Sequence, residues 1–330
     1  MGCKIITVGL SPSWDVVCWL DGIDWGEHKT VSQVSIRPAG KALNISRALA
    51  WMGISSIVTG LWGADDYLKM RAAIRSLRGL IKIKLTTVEG ITRQNISIVD
   101  RVNRREMHLR MISELASRKA LSRLQKELKK LVTRNSICIF AGAMPEQSLE
   151  QVIDTIKFCV NCGARVVVDT SGRVLKEIIN ACWVWLITPN VDELSQLVGQ
   201  SLTDDVVSLA KAGQGLLGKT DIVLISRGKK GSIVVARDGF WQGRYVGMVK
   251  GAVQPRVLST VGCGDYLLAG FLKGLIEKGN RFLANGVFDR KFALATAIKV
   301  ATAKAWGWTE QKSWQQVKRQ IKVKVVKSYL

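Results

Sequence analysis

Ser259-Thr260-Val261-Gly262-Cys263-Gly264-Asp265 is the segment of this 330-residue chain whose residue types and spacing best suit a chemical step. Its two glycines let the backbone come close to a ligand. The run that follows, Tyr266-Leu267-Leu268-Ala269-Gly270-Phe271-Leu272, reads as a helix. The N–H groups of a first helical turn point away from the helix and attract an anion, so a transferring phosphoryl group suits this place. Asp265 falls within that turn and has two readings. It stabilises the helix dipole, or it takes the proton from a hydroxyl that attacks the phosphoryl group.

A second phosphate signature competes with it. Gly213-Gln214-Gly215-Leu216-Leu217-Gly218-Lys219-Thr220 matches the P-loop pattern G-x-x-x-x-G-K-[ST]. A P-loop follows a strand and opens a helix, because amides and helix N-terminus together cradle the phosphates. Here an amphipathic helix precedes the motif and the strand Asp221-Ile222-Val223-Leu224-Ile225-Ser226 follows it. The glycines therefore read as a helix stop and an entry turn. Cys159-Val160-Asn161-Cys162 lacks the second ligand pair that zinc requires and reads as structural. His28 and His108 accompany no nucleophile motif, which leaves a hydrolase without support.

The elements that must position these residues alternate in kind. Apolar runs at 4–10, 54–60, 136–141, 165–169, 183–188, 221–226 and 231–236 read as strands. Helical periodicity fills 42–52, 64–78, 114–132, 146–161, 173–180, 191–198 and 203–217. In the third of these helices Leu121, Leu124, Leu128 and Leu131 share a face, and Ser113 is placed to cap the start. Strand and helix in alternation predict an α/β fold with a central, mostly parallel sheet and helices on both faces. Segments 16–37 and 93–111 break the rhythm and read as extra antiparallel strands outside that sheet. With five prolines and no repeat or linker, the chain is expected to form one domain over 1–330. Trp14, Trp19, Trp25, Trp306, Trp308 and Trp314 are expected to pack in the interior.

Composition narrows the class. Hydrophobic residues make up 47% and charged residues 23%, values of an ordinary globular protein. The longest dense apolar run, Ala181 to Pro189, is too short for a membrane span. The opening residues run straight into a strand rather than a signal peptide, and seven cysteines give no disulfide framework, so a cytoplasmic protein is expected. The formal net charge is +23. Residues 69–134 carry 18 basic and 5 acidic side chains, and 311–330 carry six basic and no acidic ones. Such a field draws polyanions, but no zinc-finger or RNP pattern accompanies it. Phosphorylated metabolites suit the charge, and nucleic acid is not the expected partner.

Four motifs together resemble the PfkB (ribokinase-like) carbohydrate kinases over nearly the whole chain. Thr260-Val261-Gly262-Cys263-Gly264-Asp265 resembles the family's T-x-G-A-G-D, and Pro38-Ala39-Gly40-Lys41-Ala42-Leu43-Asn44 its P-G-G-K-G-x-N. Thr188-Pro189-Asn190-Val191-Asp192-Glu193-Leu194 resembles K-P-N-x-x-E-L, and Ser226-Arg227-Gly228-Lys229-Lys230-Gly231 resembles S-x-G-x-x-G. Segments 16–37 and 93–111 fall where this family carries a β lid over its sugar site. The branch that phosphorylates sugar phosphates, 1-phosphofructokinase and tagatose-6-phosphate kinase, is the most similar. Ser11-Pro12-Ser13-Trp14-Asp15 resembles its N-P-x-x-D, Val168-Asp169-Thr170-Ser171-Gly172 its D-T-S-G, and Thr92-Arg93-Gln94-Asn95 its T-R-x-N.

The resemblance implies roles. Asp265 would be the base, and the amides of Gly262, Cys263 and Gly264 would stabilise charge on the transferring phosphoryl group. Asp15, Gly40, Lys41 and Asn44 would hold sugar hydroxyls, and Arg93 the acceptor's phosphate, for which a guanidinium offers bidentate bonds. Asn190 and Glu193 would organise Mg2+ through its water shell, while Ser226, Gly228 and Gly231 would line the ATP groove. A homodimer through the lid is the expected assembly. The alternatives are a kinase of an unphosphorylated sugar or nucleoside, and a catalytically weak relative that binds a ligand or nucleic acid. The chain departs from the family pattern at Ser11, Ala39, Ala42, Thr188, Cys263 and 104–108. A methyl group at Ala39 or Ala42 would narrow the sugar site, or demand a backbone shift where φ is positive.

Overall fold

A computed structural model of the chain describes residues 3–77, 79–249, 254–278 and 289–329. Its strands are β1 (Lys4–Gly9), β2 (Ser13–Leu20), β3 (Gln33–Ala39), β4 (Ser56–Gly63), β5 (Ile81–Val88), β6 (Gln94–Asp100) and β7 (Arg105–Arg110). They continue with β8 (Ser136–Ala141), β9 (Arg165–Asp169), β10 (Val184–Ile187), β11 (Thr220–Ser226), β12 (Ser232–Ala236), β13 (Gly239–Met248) and β14 (Ile321–Ser328). Ten form one sheet in the order β14-β13-β12-β11-β10-β9-β8-β1-β4-β5. The strands from β11 to β5 run parallel, and β12, β13 and β14 extend the sheet in antiparallel fashion.

β8 (SICIFA) and β10 (VWLI) are buried throughout, as parallel strands covered on both faces must be. Alternate residues feed two cores. Ile137, Ile139, Val167 and Leu186 meet helices Lys41–Trp51, Cys263–Lys278 and Arg290–Ala305. Cys138, Phe140, Val166 and Val168 meet helices Arg118–Leu131, Leu149–Asn161 and Gly172–Ala181 on the other face. The chain order reverses between β1 and β8, so the carboxyl ends of these strands flank the crevice where open α/β sheets bind ligands.

The second sheet, β3-β2-β6-β7, is the lid. Its outer pairs are antiparallel, but β2 and β6 run parallel, so the lid is not wholly antiparallel as the alternation suggested. The reason lies at its base. Asp66 accepts from Trp14 Nε1 and from the Thr92 N–H and hydroxyl, at 2.5, 3.2 and 3.0 Å. These two residues lie at or just before the starts of β2 and β6, so both strands leave the core from one buried carboxylate in the same direction.

Three further expectations need correction. The helix expected over 114–132 begins at Arg118, with Ser117 Oγ accepting from Ala120 N at 3.2 Å, because Leu115 is drawn into the core ahead of it. Ser113 is not the cap. The helix expected over 64–78 divides into Tyr67–Ala73 and a 3-10 turn Arg75–Leu77, and residue 78 lies outside the described residues. Trp14, Trp306, Trp308 and Trp314 are buried as expected, whereas Trp25 is 94% exposed and Trp19 partly so. The P-loop lookalike behaves as its context predicts. Gly213 and Gly215 end helix Val206–Gly215, and Thr220 begins β11.

Candidate active site

Gly40 precedes helix Lys41–Trp51 at φ +109°, and a Cβ there would lie 3.2 Å from Pro12 Cα. Only glycine passes this corner without strain. Ala39 and Ala42 have ordinary backbone angles, so the methyl groups require no shift of the chain; Ala42 packs against Gly9. Beyond the corner, Lys41 Nζ donates to Asp169 Oδ1 at 2.8 Å, and Asn44 Nδ2 donates to Asp265 Oδ2 at 2.9 Å. Residues 221 positions apart in the chain thus meet at the carboxyl ends of the parallel strands.

Asp265 is only 4% exposed, in the first turn of helix Cys263–Lys278. Burial and the Asp169 carboxylate push its pKa up to about 7, while Lys41 and the Asn44 amide pull the other way. A carboxyl tuned near neutrality suits a general base better than a helix cap. Lys41 is held above the ordinary lysine range. Burial works against its charge, but Asp169 and Asp265 outweigh burial. Asp15, on β2, accepts from Ser13 Oγ at 3.2 Å and Asn95 Nδ2 at 3.4 Å and adds to the negative charge near Asp265.

Gly262 turns the chain at φ +77°, and the Cys263 N–H closes onto Thr260 O at 3.2 Å. The helix therefore leaves the N–H groups of Gly264 and Asp265 without intrahelical acceptors. Burial pushes the Cys263 thiol up to about 11, which leaves it a neutral wall of the turn. A cleft of about 650 Å³ opens beside this turn; Cys263, Gly264, Asn190, Ser226, Gly228 and Gly231 are among its lining residues. Gly231, at φ +95°, brings its backbone so close to Gly243 O that a Cβ would meet it at 2.1 Å. Arg227 and Lys230 clamp Asp204 at 2.7 and 2.6 Å, and Arg227 and Asp204 belong to the cleft lining.

Asn190 and Glu193 form a reciprocal capping box: Asn190 Oδ1 accepts from Glu193 N at 2.8 Å, and Glu193 Oε2 accepts from Asn190 N at 2.9 Å. Among the described residues no group of His, Cys, Asp and Glu side chains could hold a metal ion alone. Glu193 keeps its second oxygen outside the box. One carboxylate, nucleotide phosphates and water make a donor set that magnesium accepts. Arg93 is engaged with backbone: its guanidinium donates to Pro12 O at 3.2 Å, Met111 O at 2.6 Å and Ser11 O at 3.3 Å. Burial and the nearby Arg110 hold its pKa below the arginine range.

The structure thus gathers Lys41, Asn44 and Asp265 into one cluster with Asp15 near it, and places Asn190, Ser226, Gly228 and Gly231 across the cleft. Two functional residues had no assigned role: Asp169, which pairs with Lys41 and tunes Asp265, and Asp66, which anchors the lid. No spacing rule marks either: Lys41 lies 128 positions from Asp169, and Trp14 and Thr92 lie 52 and 26 positions from Asp66. Asp169 had two signals, its place at the end of an apolar strand and in the segment that resembles D-T-S-G.

The chain belongs to the pfkB family of carbohydrate kinases, whose description "pfkB family carbohydrate kinase" matches residues 4–305. It is 27% identical over 277 residues to a tagatose-6-phosphate kinase of Staphylococcus epidermidis, covering 83% of this chain and 86% of the relative. It is 29% identical over 277 residues to a 1-phosphofructokinase of Haemophilus influenzae, covering 84% and 85%. The solved phosphofructokinase-2 from Escherichia coli, in complex with substrates and products, shares the fold with a TM-score of 0.82 at 21% identity, over 96% of this chain and 100% of that one. Membership makes the chain a carbohydrate kinase and implies ATP as its donor. Among the described residues no helix is long and apolar enough to cross a membrane.

Proposed function

We propose that the chain transfers the γ-phosphoryl group of ATP to a hydroxyl of a sugar phosphate, with fructose 1-phosphate or a close ketohexose phosphate as acceptor. The observation that carries this reading is the position of Asp265. It is buried, tuned to about 7, bonded by Asn44 with Asp15 nearby, and adjoins Gly264, which lines the 650 Å³ cleft. The acceptor hydroxyl loses its proton to Asp265 as its oxygen attacks phosphorus in line, and the bond to the bridging oxygen of ADP breaks. The amides of Gly264 and Asp265 face the developing charge. Asn44 orients the carboxylate, and Lys41 is held ready for a phosphate by Asp169. Magnesium, held by Glu193 through water, would neutralise the nucleotide phosphates.

The acceptor's phosphate is assigned to Arg93, with Arg110 beside it. The names of the two relatives support a phosphorylated acceptor over a neutral one. We also infer a cytoplasmic enzyme, consistent with seven free cysteines.

The lid supports a homodimer. Two cross-strand rows, Ile36-Val16-Ile96-Leu109 and Val34-Cys18-Ile98-Met107, make one face of it apolar. Val34, Ile36, Met107 and Leu109 are 51, 52, 44 and 45% exposed on that face. A second copy of the lid would cover it.

The test is ADP release from Mg-ATP across fructose 1-phosphate, fructose 6-phosphate, tagatose 6-phosphate, neutral sugars and nucleosides. Turnover with one phosphorylated ketose, reduced at least about 100-fold in Asp265→Asn, is the expected result. Turnover with neutral acceptors alone would overturn the substrate assignment. An Asp265→Asn enzyme within about tenfold of wild type would overturn the base.

A further inference from the structure

Lys304 lies in the last turn of helix Arg290–Ala305, where a lysine ordinarily reaches into water. Here its side chain is only 11% exposed. It curls over the turn that starts helix Cys263–Lys278. A Cβ built on Gly262 would lie 3.8 Å from Lys304 Cε and 3.7 Å from Asp265 Oδ2. The lysine stem and the proposed base therefore flank the same glycine.

The ammonium is poorly compensated there. Its carboxylate partner is Glu310, at 4.0 Å, and the same Glu310 oxygen also serves Arg37 at 3.5 Å. The ring of Tyr266 lies 5.5 Å from Nζ. Arg37 and Arg47 add like charge nearby, and burial and Arg37 draw the Lys304 pKa below the ordinary lysine range. Arg37 Nε is itself buried without a hydrogen-bond partner among the described residues. A buried cation beside a helix N-terminus faces a second positive potential. Two such features repel each other until an anion sits between them.

We propose that Lys304 is a further catalytic residue, whose ammonium contacts the transferring phosphoryl group together with the amides at the start of helix Cys263–Lys278. This rests on the kinase reading above. The ammonium gains a full partner only when the phosphoryl group arrives, so it contributes mainly to the step of transfer. Glu310 is the resting partner, loosely held and shared with the lid strand β3 through Arg37.

Three variants test the proposal: Lys304→Met, which keeps the stem and removes the charge, Lys304→Gln, and Lys304→Arg. Thermal unfolding identifies the neutral variant that folds like wild type. The readouts are kcat, KM for ATP, and the gain in ADP affinity when aluminium fluoride is added with magnesium and acceptor. In the folded neutral variant kcat is expected to fall about 100- to 1000-fold, the range for losing one preorganised transition-state contact. KM for ATP should stay within about threefold and the aluminium fluoride gain should vanish, because both follow from a contact made mainly in transfer. Lys304→Arg should recover part of both. A neutral variant that keeps kcat within about threefold and retains the aluminium fluoride gain would overturn the proposal, because differential binding would be intact. A wild-type protein that binds ADP with aluminium fluoride but phosphorylates no acceptor would instead overturn the acceptor assignment and leave Lys304 testable by binding.

Discussion

Asn44 Nδ2 donates to Asp265 Oδ2 across 2.9 Å, joining the helix after the lid's first hairpin to the helix that begins at the Gly262 turn. An amide that can only donate at this nitrogen fixes which carboxylate oxygen is committed. The other oxygen takes no part in this bond. The bond also favours the ionised form, against the burial that opposes it.

Activity should therefore have an acid limb. The base works ionised, so kcat/KM is expected to fall as pH drops below about 7. In Asp169→Asn the limb should move to lower pH, because Asp169 raises the Asp265 pKa and also occupies Lys41. A pH–rate profile of both enzymes measures this. A limb that stays in place would mean that another group titrates.

The same carboxyl should leave a mark on stability. Its folded pKa of about 7 lies above the ordinary aspartate value of 3.8. Between these values the native state holds a proton that the unfolded chain has released, so this group lowers stability as pH rises through that window. Asp265→Asn removes the effect. The variant should melt above wild type at pH 8, with the gap closing toward pH 4, in scans at both values.

Arg93→Ala should raise KM for a phosphorylated acceptor at least about tenfold, the loss of one charge-assisted contact of roughly 1.4 kcal/mol or more. KM for ATP should hardly change, since Arg93 bridges Ser11, Pro12 and Met111 and none of these lines the cleft proposed for ATP. Initial-rate kinetics with each substrate varied in turn separates the two. Equal rises in both constants would point to a collapsed lid base instead of a lost phosphate contact.

Charges on the apolar lid face should dissociate the pair. Ile36→Lys with Leu109→Lys puts two ammonium groups into one cross-strand row. Sedimentation should show wild type as a dimer and the double variant as a monomer, with the melting of the main sheet little changed. An unchanged sedimentation coefficient would place the interface elsewhere.

The alternation of buried strands with amphipathic helices was legible because β8, β9 and β10 are covered on both faces and read as continuous apolar runs. Both edges of the ten-stranded sheet escaped notice. β5 begins Ile-Lys-Ile-Lys and β14 begins Ile-Lys-Val-Lys, period-two patterns inside stretches that stood out for their charge. Helix Arg290–Ala305 was missed for another reason: it is apolar on nearly every side, packed between the sheet and helix Cys263–Lys278. The motifs located Asp265, Asn44 and Lys41 by type and order. Their pairings were not legible, since hydrogen bonds between side chains more than 100 positions apart follow from topology and not from spacing.

The two lysine-bearing edges have a bearing on how the protein survives in a crowded solution. An open edge strand is a template, with unpaired amides and carbonyls along one side, and this sheet has two. Lys82, Lys84, Lys322 and Lys324 are exposed along them, so two copies approaching edge to edge bring like charges together before any backbone bond forms. Part of the basic excess thus acts as a barrier to fibrillar stacking. Acetylating these four amines should leave each folded molecule intact and make concentrated solutions prone to ordered aggregation.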